Sequence, residues 1–370
     1  MSVAGVRFRA LILPGIIFQS VLVGGAYATG REIVQYGARF GAGGLWSLLA
    51  IGLGFGLLSA LCFEYARVTR CYDYRSLMRE LIGPAWKIFD VLFVVMVIII
   101  IAVVTAASGS IAERVLGVPY AVGVGFVIVL VGAINAAGRR TIENFKSVGT
   151  ALLYAGYAAF AGAVLASGSD RLGEAFAMPL PDGATVAGMF GTGLLYVGYN
   201  IVGVASTLFV LDQQTRRSQA VIAGLVTGLM STVPFLLTYL AVMVFYPDPA
   251  VLGAEVPWLV MLDRVGGGWL TAFYAVVVFW TLVETSVGFI HAVIDRIAVA
   301  RSETGRVPLT SRQIALISGG LLLLAAMLSR FGIIALVARG YTLMAYGFLL
   351  LFVLPLLTVG VRRIVRSGRG

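Results

Sequence analysis

The stretch Val23-Gly24-Gly25-Ala26-Tyr27-Ala28-Thr29-Gly30-Arg31-Glu32 lies inside the first apolar segment of the chain, between Ala10 and Ala38. Three glycines and an Arg-Glu pair interrupt what would otherwise be one continuous apolar helix. Non-helical backbone at membrane depth is tolerated only where protein or a water-filled cavity surrounds it. Broken membrane helices also mark the binding sites of transporters. The segment therefore sets the expectation for both fold and function.

The surrounding composition supports a membrane setting. The 370 residues are 60% hydrophobic and 12% charged, with a mean hydropathy of +0.98. A soluble domain carries about 25% charged residues. The apolar runs are long and lack period-two alternation, which excludes a β-barrel. The 27 basic residues outnumber the 17 acidic ones, but they flank apolar spans as cytoplasmic loops do, so no nucleic-acid partner is expected. Cys62 and Cys71, the two cysteines, read as packing residues rather than a disulfide or metal pair. The first apolar stretch exceeds a signal-peptide core and lacks a small-residue cleavage site, so it reads as retained.

A spanning helix needs about 20 residues. Ten spans are expected, at about 10–38, 43–66, 84–114, 119–137, 143–167, 185–211, 218–246, 268–297, 312–329 and 335–361. Pro247–Gly268 is too polar and too broken to span, with Val256–Val265 read as a short interfacial helix. With the N-terminus inside, twenty of the 27 basic residues fall on the inner side. Arg31, Arg39, Arg114, Arg171, Arg264, Arg330 and Arg339 fall outside. That asymmetry follows the positive-inside rule and places both termini in the cytoplasm of a prokaryotic cell, with the chain in its inner membrane.

Ten spans divide into two units of five. An odd unit must enter the membrane from opposite sides, so related halves would be inverted repeats. The expected fold is all-α, one transporter domain over 1–370, with repeats at about 10–167 and 185–361. The sixth span carries Gly193-Leu-Leu-Tyr196-Val-Gly198-Tyr199-Asn200-Ile-Val-Gly203, glycine-interrupted like the first. At a shift of 169, Gly24 meets Gly193 and Tyr27 meets Tyr196. The third and eighth spans are both long, each preceded by a Trp and each ending in an acidic-basic pair. For any single glycine the competing explanation is close helix packing.

Residues 24–36, Gly-Gly-Ala-Tyr-Ala-Thr-Gly-Arg-Glu-Ile-Val-Gln-Tyr, resemble the first-helix signature of the YkvI-like membrane proteins. These are grouped with amino-acid permeases of the amino acid–polyamine–organocation (APC) superfamily. The family pattern runs Gly-Ala-Gly-Phe-Ala-Ser/Thr-Gly-Gln-Glu-Ile and then an aromatic. The resemblance implies the LeuT-type fold, a 5+5 inverted repeat with discontinuous helices 1 and 6. The family's Gln is Arg31 here, which adds a charge beside the expected site.

A broken helix exposes N–H groups on one side and C=O groups on the other. The first pole favours an anion and the second a cation. A zwitterion is thus expected at Gly24, Gly25, Ala26, Tyr27, Thr29 and Gly30. Its carboxylate would lie on the backbone near Gly25, Ala26 and Thr29, and its amino group on carbonyls of Tyr196–Asn200, with Gly198 in that second break. Tyr27, Tyr196 and Tyr199 could line or gate the pocket or simply pack. Thr105 and Ser108 could wall it or bond back to their own helix. Proteins with the implied fold hold sodium between two adjacent hydroxyls on helix 8, a carbonyl three residues earlier, and carbonyls of helix 1. Carried onto this chain, the resemblance gives Thr285, Ser286, Leu282, Val23 and Ser20 as Na+ ligands. Oxygen-only ligation suits that ion.

Protons are the alternative coupling ion. Glu32 and Glu284 lie in apolar spans, where ionisable groups mark function. Glu32 could instead pair with a basic group, and Glu284 with Arg31. His291 reads as a packing or interfacial residue. No Ser-His-Asp set, His/Cys cluster or phosphate loop is present, which argues against an enzyme or a cofactor beyond coupling Na+ or H+. The expectation is a symporter of a small zwitterionic solute, an amino acid, whose other partner is the lipid bilayer. The alternative is a transporter-fold receptor without transport, against which the short inner loops and tails weigh.

Overall fold

The computed structural model describes residues 8–136 and 155–367. The expected span at 143–167 lies partly outside them. The described residues are helical, in the order α1 (Leu13–Leu22), a 3₁₀ turn (Gly25–Thr29), α2 (Arg31–Tyr36), α3 (Gly44–Thr69), α4 (Tyr74–Ile82), α5 (Trp86–Leu116) and α6 (Tyr120–Ala136). They continue with α7 (Ala155–Gly168), α8 (Arg171–Ala177), α9 (Val186–Asn200), α10 (Arg217–Met243), α11 (Pro249–Leu252), α12 (Pro257–Glu303) and α13 (Ser311–Ser329). The last, α14 (Gly332–Ser367), contains π-helical turns at Leu336–Tyr341, Leu349–Val353 and Leu356–Gly360.

Seven of the described helical stretches are long and apolar enough to cross a membrane, and α1, α6 and α7 are shorter apolar helices. Large apolar side chains such as Leu57, Val91, Val129, Leu229, Leu316 and Leu350 are exposed on them, as a lipid-facing surface requires. The chain is a multi-pass membrane protein. Polar caps start several helices. Asp73 accepts from Arg75 and Ser76 N–H, and Thr185 accepts from Gly188 N–H. Thr310 and Gln313 form a reciprocal capping box, which satisfies donors a helix start leaves open.

Two packing groups emerge. One joins α1, α3, α9 and α10; the other joins α5, α6, α12 and α13. The α3–α10 contact rests on small residues four apart. Gly56 backbone meets Gly228, and Ala60 meets Gly224, so the two backbones approach as in small-xxx-small packing. A Cβ at Gly228 would fall on the Gly56 backbone itself. Gly228→Leu should therefore cost about 1–3 kcal/mol, read as a lowered melting temperature in detergent. An unchanged melting temperature would show that this crossing can move apart freely.

Two expectations are corrected. The expected helix at Val256–Val265 is not detached from the next span, since α12 runs from Pro257 to Glu303, but it is a short arm folded back on it, with the Trp258 and Tyr274 rings 6.4 Å apart. α12 bends between the two. Thr271 Oγ1 donates to Asp263 Oδ1 at 2.8 Å, although residues eight apart in a straight helix are separated by about 12 Å. The glycine run Gly266-Gly267-Gly268 lies between them. The second correction concerns α9, which is α-helical through Gly193 and Gly198 to Asn200. Gly193 packs on Ser47 and Ala50, and Gly198 on Leu349, so these glycines serve close packing. The irregularity falls later, at Ile201–Gln213, where the helix tightens to 3₁₀.

Candidate functional site at the break in the first helix

The first helix is broken where its glycines lie. Val23 N–H still bonds Gln19 C=O at 2.9 Å, and Gly24 is then extended, with φ −101° and ψ −178°. The chain makes one 3₁₀ turn and re-enters a helix through Gly30, whose φ of 81° is left-handed. That conformation favours glycine, and a Cβ there would also press on the Trp258 ring. Thr29 Oγ1 accepts from Arg31 N–H at 3.2 Å, so its hydroxyl caps the second half-helix.

Beside the break lies a cavity of about 600 Å³. Its walls come from α1 (Phe18, Ser20, Val21, Leu22), Gly24, Glu32, the α9 end (Tyr199, Asn200), α12 (Glu284, Thr285, Phe289, Arg296) and Tyr341. Tyr274, Thr285 and Arg296 are spaced along α12 at intervals of about 16 Å. They mark a closed end, the level of the break and an opposite end. At the closed end Tyr27, Tyr157, Trp258 and Tyr274 are buried. The Tyr157 and Trp258 rings are 5.5 Å apart, and Tyr274 Oη donates to Ala28 C=O at 2.7 Å. Above this layer, Arg31 Nη1 donates to the carbonyls of Leu252 and Ala254 at 2.7 and 3.1 Å. The cavity extends instead toward Tyr74 and Arg296. There Arg296 pairs with Asp90 at 3.1 Å and lies 3.6 Å from the Phe93 ring centroid.

Glu32 joins both halves of the site. It stands in the first turn of α2, is 5% exposed, and accepts from Tyr199 Oη at 2.8 Å. Tyr199 packs on Tyr341 with centroids 4.9 Å apart and on Tyr36 at 5.6 Å. Tyr36 Oη in turn donates to Val337 C=O at 3.1 Å, within the first π-helical turn of α14. Such turns recur at functional sites.

The expected residues separate into groups. Ser20, Gly24, Glu32, Tyr199, Asn200, Glu284 and Thr285 meet in the cavity. Gly25 and Ala26 lie in the adjoining 3₁₀ turn. Tyr27, Thr29 and Gly30 belong to the closed side. Tyr196 is buried against Phe55 and Phe235. Thr105 and Ser108 are not pocket walls: their hydroxyls donate to Ile101 and Val104 carbonyls of their own helix at 2.7 and 2.9 Å. Two carbonyls of the expected Tyr196–Asn200 break are likewise engaged, Val197 C=O by Ile201 N–H and Tyr196 C=O by Asn200 Nδ2 at 3.1 Å. Among the described residues Arg31 makes no ion pair with Glu284; loop carbonyls hold it instead.

Of the five sodium-ligand candidates, Val23, Leu282 and Ser286 are buried. Thr285 Oγ1 lies directly against Gly24, while Ser20 Oγ bonds Ile17 C=O at 2.8 Å. The Ser286 hydroxyl is buried and has no hydrogen-bond partner among the described residues. No group of three His, Cys, Asp or Glu side chains that could hold a metal occurs among them. Cys62 and Cys71 are free thiols. His291 faces Asp295 at 3.4 Å, one turn along α12. Sequence reasoning did not find the Trp258–Tyr157–Tyr274 layer, Tyr341 or Phe289. They come from α7 (Tyr157), α12 (Trp258, Tyr274 and Phe289) and α14 (Tyr341), and their meeting depends on how those helices pack.

No family model matches the chain. The uncharacterized membrane protein YkvI of Bacillus subtilis (strain 168) is 28% identical over 108 residues, 29% of this chain and 31% of that protein. The match thus spans about a third of the relative's length. Among solved structures, a Na+-coupled sialic acid symporter in a substrate-bound outward-open state has a TM-score of 0.49 at 12% identity, covering 96% of this chain and 86% of that one. A variant of the manganese transporter of Eremococcus coleocola has a TM-score of 0.46 at 13% identity, covering 98% and 92%.

Proposed function

We propose that the chain is a secondary active transporter of a small amino-bearing solute, an amino acid or a related amine, coupled to sodium and working by alternating access. One observation carries this reading: a 600 Å³ cavity beside the break in the first apolar helix, with a layer of buried aromatic rings at one end and walls extending to Tyr74 and Arg296 at the other. A receptor needs a pocket, but not a seal on one side only. The proposed architecture is one domain of ten spans in two inverted five-helix repeats, with both termini on the cytoplasmic side of the inner membrane. The paired roles of α3 and α10, and of α5 and α12, in the two packing groups support that architecture. The cavity end at Arg296 is then cytoplasmic.

Sodium is favoured as the coupling ion because the Ser286 hydroxyl is buried and has no hydrogen-bond partner among the described residues, beside a Thr285 hydroxyl that touches the break. Burying an unbonded hydroxyl costs about 1–3 kcal/mol, which a hard cation would offset. Those two hydroxyls, with the carbonyls of Val23, next to Gly24, and of Leu282, three residues before Thr285, offer oxygen donors only. Replacing both Thr285 and Ser286 by alanine should raise the sodium concentration for half-maximal uptake into proteoliposomes at least about tenfold. An unchanged sodium response would assign the coupling to protons.

A further inference from the structure

Resting on the transporter reading above, we propose that Tyr36 is a positioning residue: its hydroxyl fixes the register of the first π-helical turn of α14 and so holds the Tyr341 ring in the cavity wall. Tyr36 is the last residue of α2 and is 1% exposed. Its Oη donates to Val337 C=O at 3.1 Å. With that proton committed, Thr342 Oγ1 is the donor in its 3.3 Å contact with the same oxygen. Val337 and Thr342 are five residues apart, the separation that the i→i+5 bonds of a π turn bring together. One buried hydroxyl thus bridges both ends of the turn at Leu336–Tyr341.

The register matters because of the side chain it carries. An α-helix advances about 100° per residue, and a π turn holds one residue more than an α turn. Relaxing it to α-helical register would rotate one flank of α14 against the other by about that angle. Tyr341 is the last residue of the π turn. It lines the cavity, and its ring centroid lies 4.9 Å from that of Tyr199. A rotation of that size would carry Tyr341 out of this stack. Tyr199 in turn donates to Glu32, which stands one turn before Tyr36 on α2 and therefore on the same face. The contacts close a ring, from Tyr36 to α14, from Tyr341 to Tyr199, from Tyr199 to Glu32, and back along α2. The Tyr36 ring also packs on Tyr196 and Tyr199, both at 5.6 Å, so the ring keeps its seat when only the hydroxyl is removed.

The test reads the Tyr341 ring directly and needs neither solute nor ion gradient. 3-Fluorotyrosine is placed at Tyr341 alone, in the full-length protein in nanodiscs, and followed by fluorine NMR. A second preparation carries the label at Tyr239, which is buried and donates to Gly41 C=O at 2.7 Å, as the control. The unaltered protein should give one dominant resonance at Tyr341. Tyr36→Phe keeps the ring and removes both hydrogen bonds. It should raise the weight of a second resonance at least about tenfold, with the label at Tyr239 unchanged. Thr342→Val removes one of the two bonds and should shift the populations in the same direction by less; it decides the matter if Tyr36→Phe does not fold. An unchanged Tyr341 spectrum in the variants, or equal changes at Tyr341 and Tyr239, would overturn the proposal. A Tyr341 spectrum that responds to Tyr36→Phe in a protein without solute counterflow would instead overturn transport and leave the clamp standing. Counterflow with an unresponsive Tyr341 label would do the reverse.

Discussion

Gly24→Leu should lower uptake at least about a hundredfold while the protein still folds. Gly24 follows Val23, the C-cap of α1, and its extended backbone is open to any side chain. The substitution therefore adds no backbone strain. The space is the difficulty: a Cβ at this position meets the Thr285 hydroxyl, and a leucine must either displace α12 or fill the cavity. Overpacking of this kind costs about 1–3 kcal/mol. Near the upper end that corresponds to a hundredfold in rate or affinity. The size-exclusion profile should stay that of the unaltered protein, with a melting temperature lowered no more than in Gly228→Leu. Normal uptake by Gly24→Leu would remove the cavity from the solute's path.

Arg31→Met should release the closed end. Its guanidinium holds two carbonyls of the loop between α11 and α12, at 2.7 and 3.1 Å. Hydrogen bonds to a charged group are worth about 1.5–3 kcal/mol each. Losing both shifts a two-state equilibrium by about 3 kcal/mol, roughly 150-fold. The readout is alkylation of a single cysteine at Ala28, a position with no exposure in the closed layer, with Cys62 and Cys71 replaced by serine. A bulky water-soluble maleimide should label this cysteine slowly in the parent and much faster after Arg31→Met. Equal rates would show that the aromatic layer alone keeps this end shut. Arg31 itself illustrates a limit of motif reasoning. It sits beside Glu32 in sequence, yet successive helix positions do not face each other, and its partners come from more than two hundred residues away.

What sequence could and could not show follows the range of the forces involved. Apolar runs and terminal caps are local, so the helix limits at Ser311–Ser329, Arg217–Met243 and Trp86–Leu116 lie close to the expected spans. The break at Gly24–Gly30 was legible for the same reason, because a left-handed Gly30 and an extended Gly24 are local backbone facts. Gly193 and Gly198 carry the same letters, but what they meet is another helix, and no local pattern separates a hinge glycine from a packing one. Thr105 and Ser108 were ambiguous in the same way until their acceptors, one turn back on their own helix, were seen. The Glu32–Tyr199 hydrogen bond joins residues 167 apart and depends on how α2 and α9 pack. The aromatic seal likewise draws Tyr27 from the 3₁₀ turn, Tyr157 from α7, and Trp258 and Tyr274 from the two arms of α12.

The central claim is that this cavity carries solute across the membrane by opening to one side at a time. Solute counterflow tests it most directly, since it requires a carrier that exchanges bound solute and needs no imposed ion gradient. Proteoliposomes are preloaded with an unlabelled amine or amino acid that binds the purified protein, then diluted into a trace of the labelled form. The account predicts a transient accumulation of label above the external concentration, absent in Gly24→Leu. Binding with no such overshoot, for every solute that binds, would contradict it.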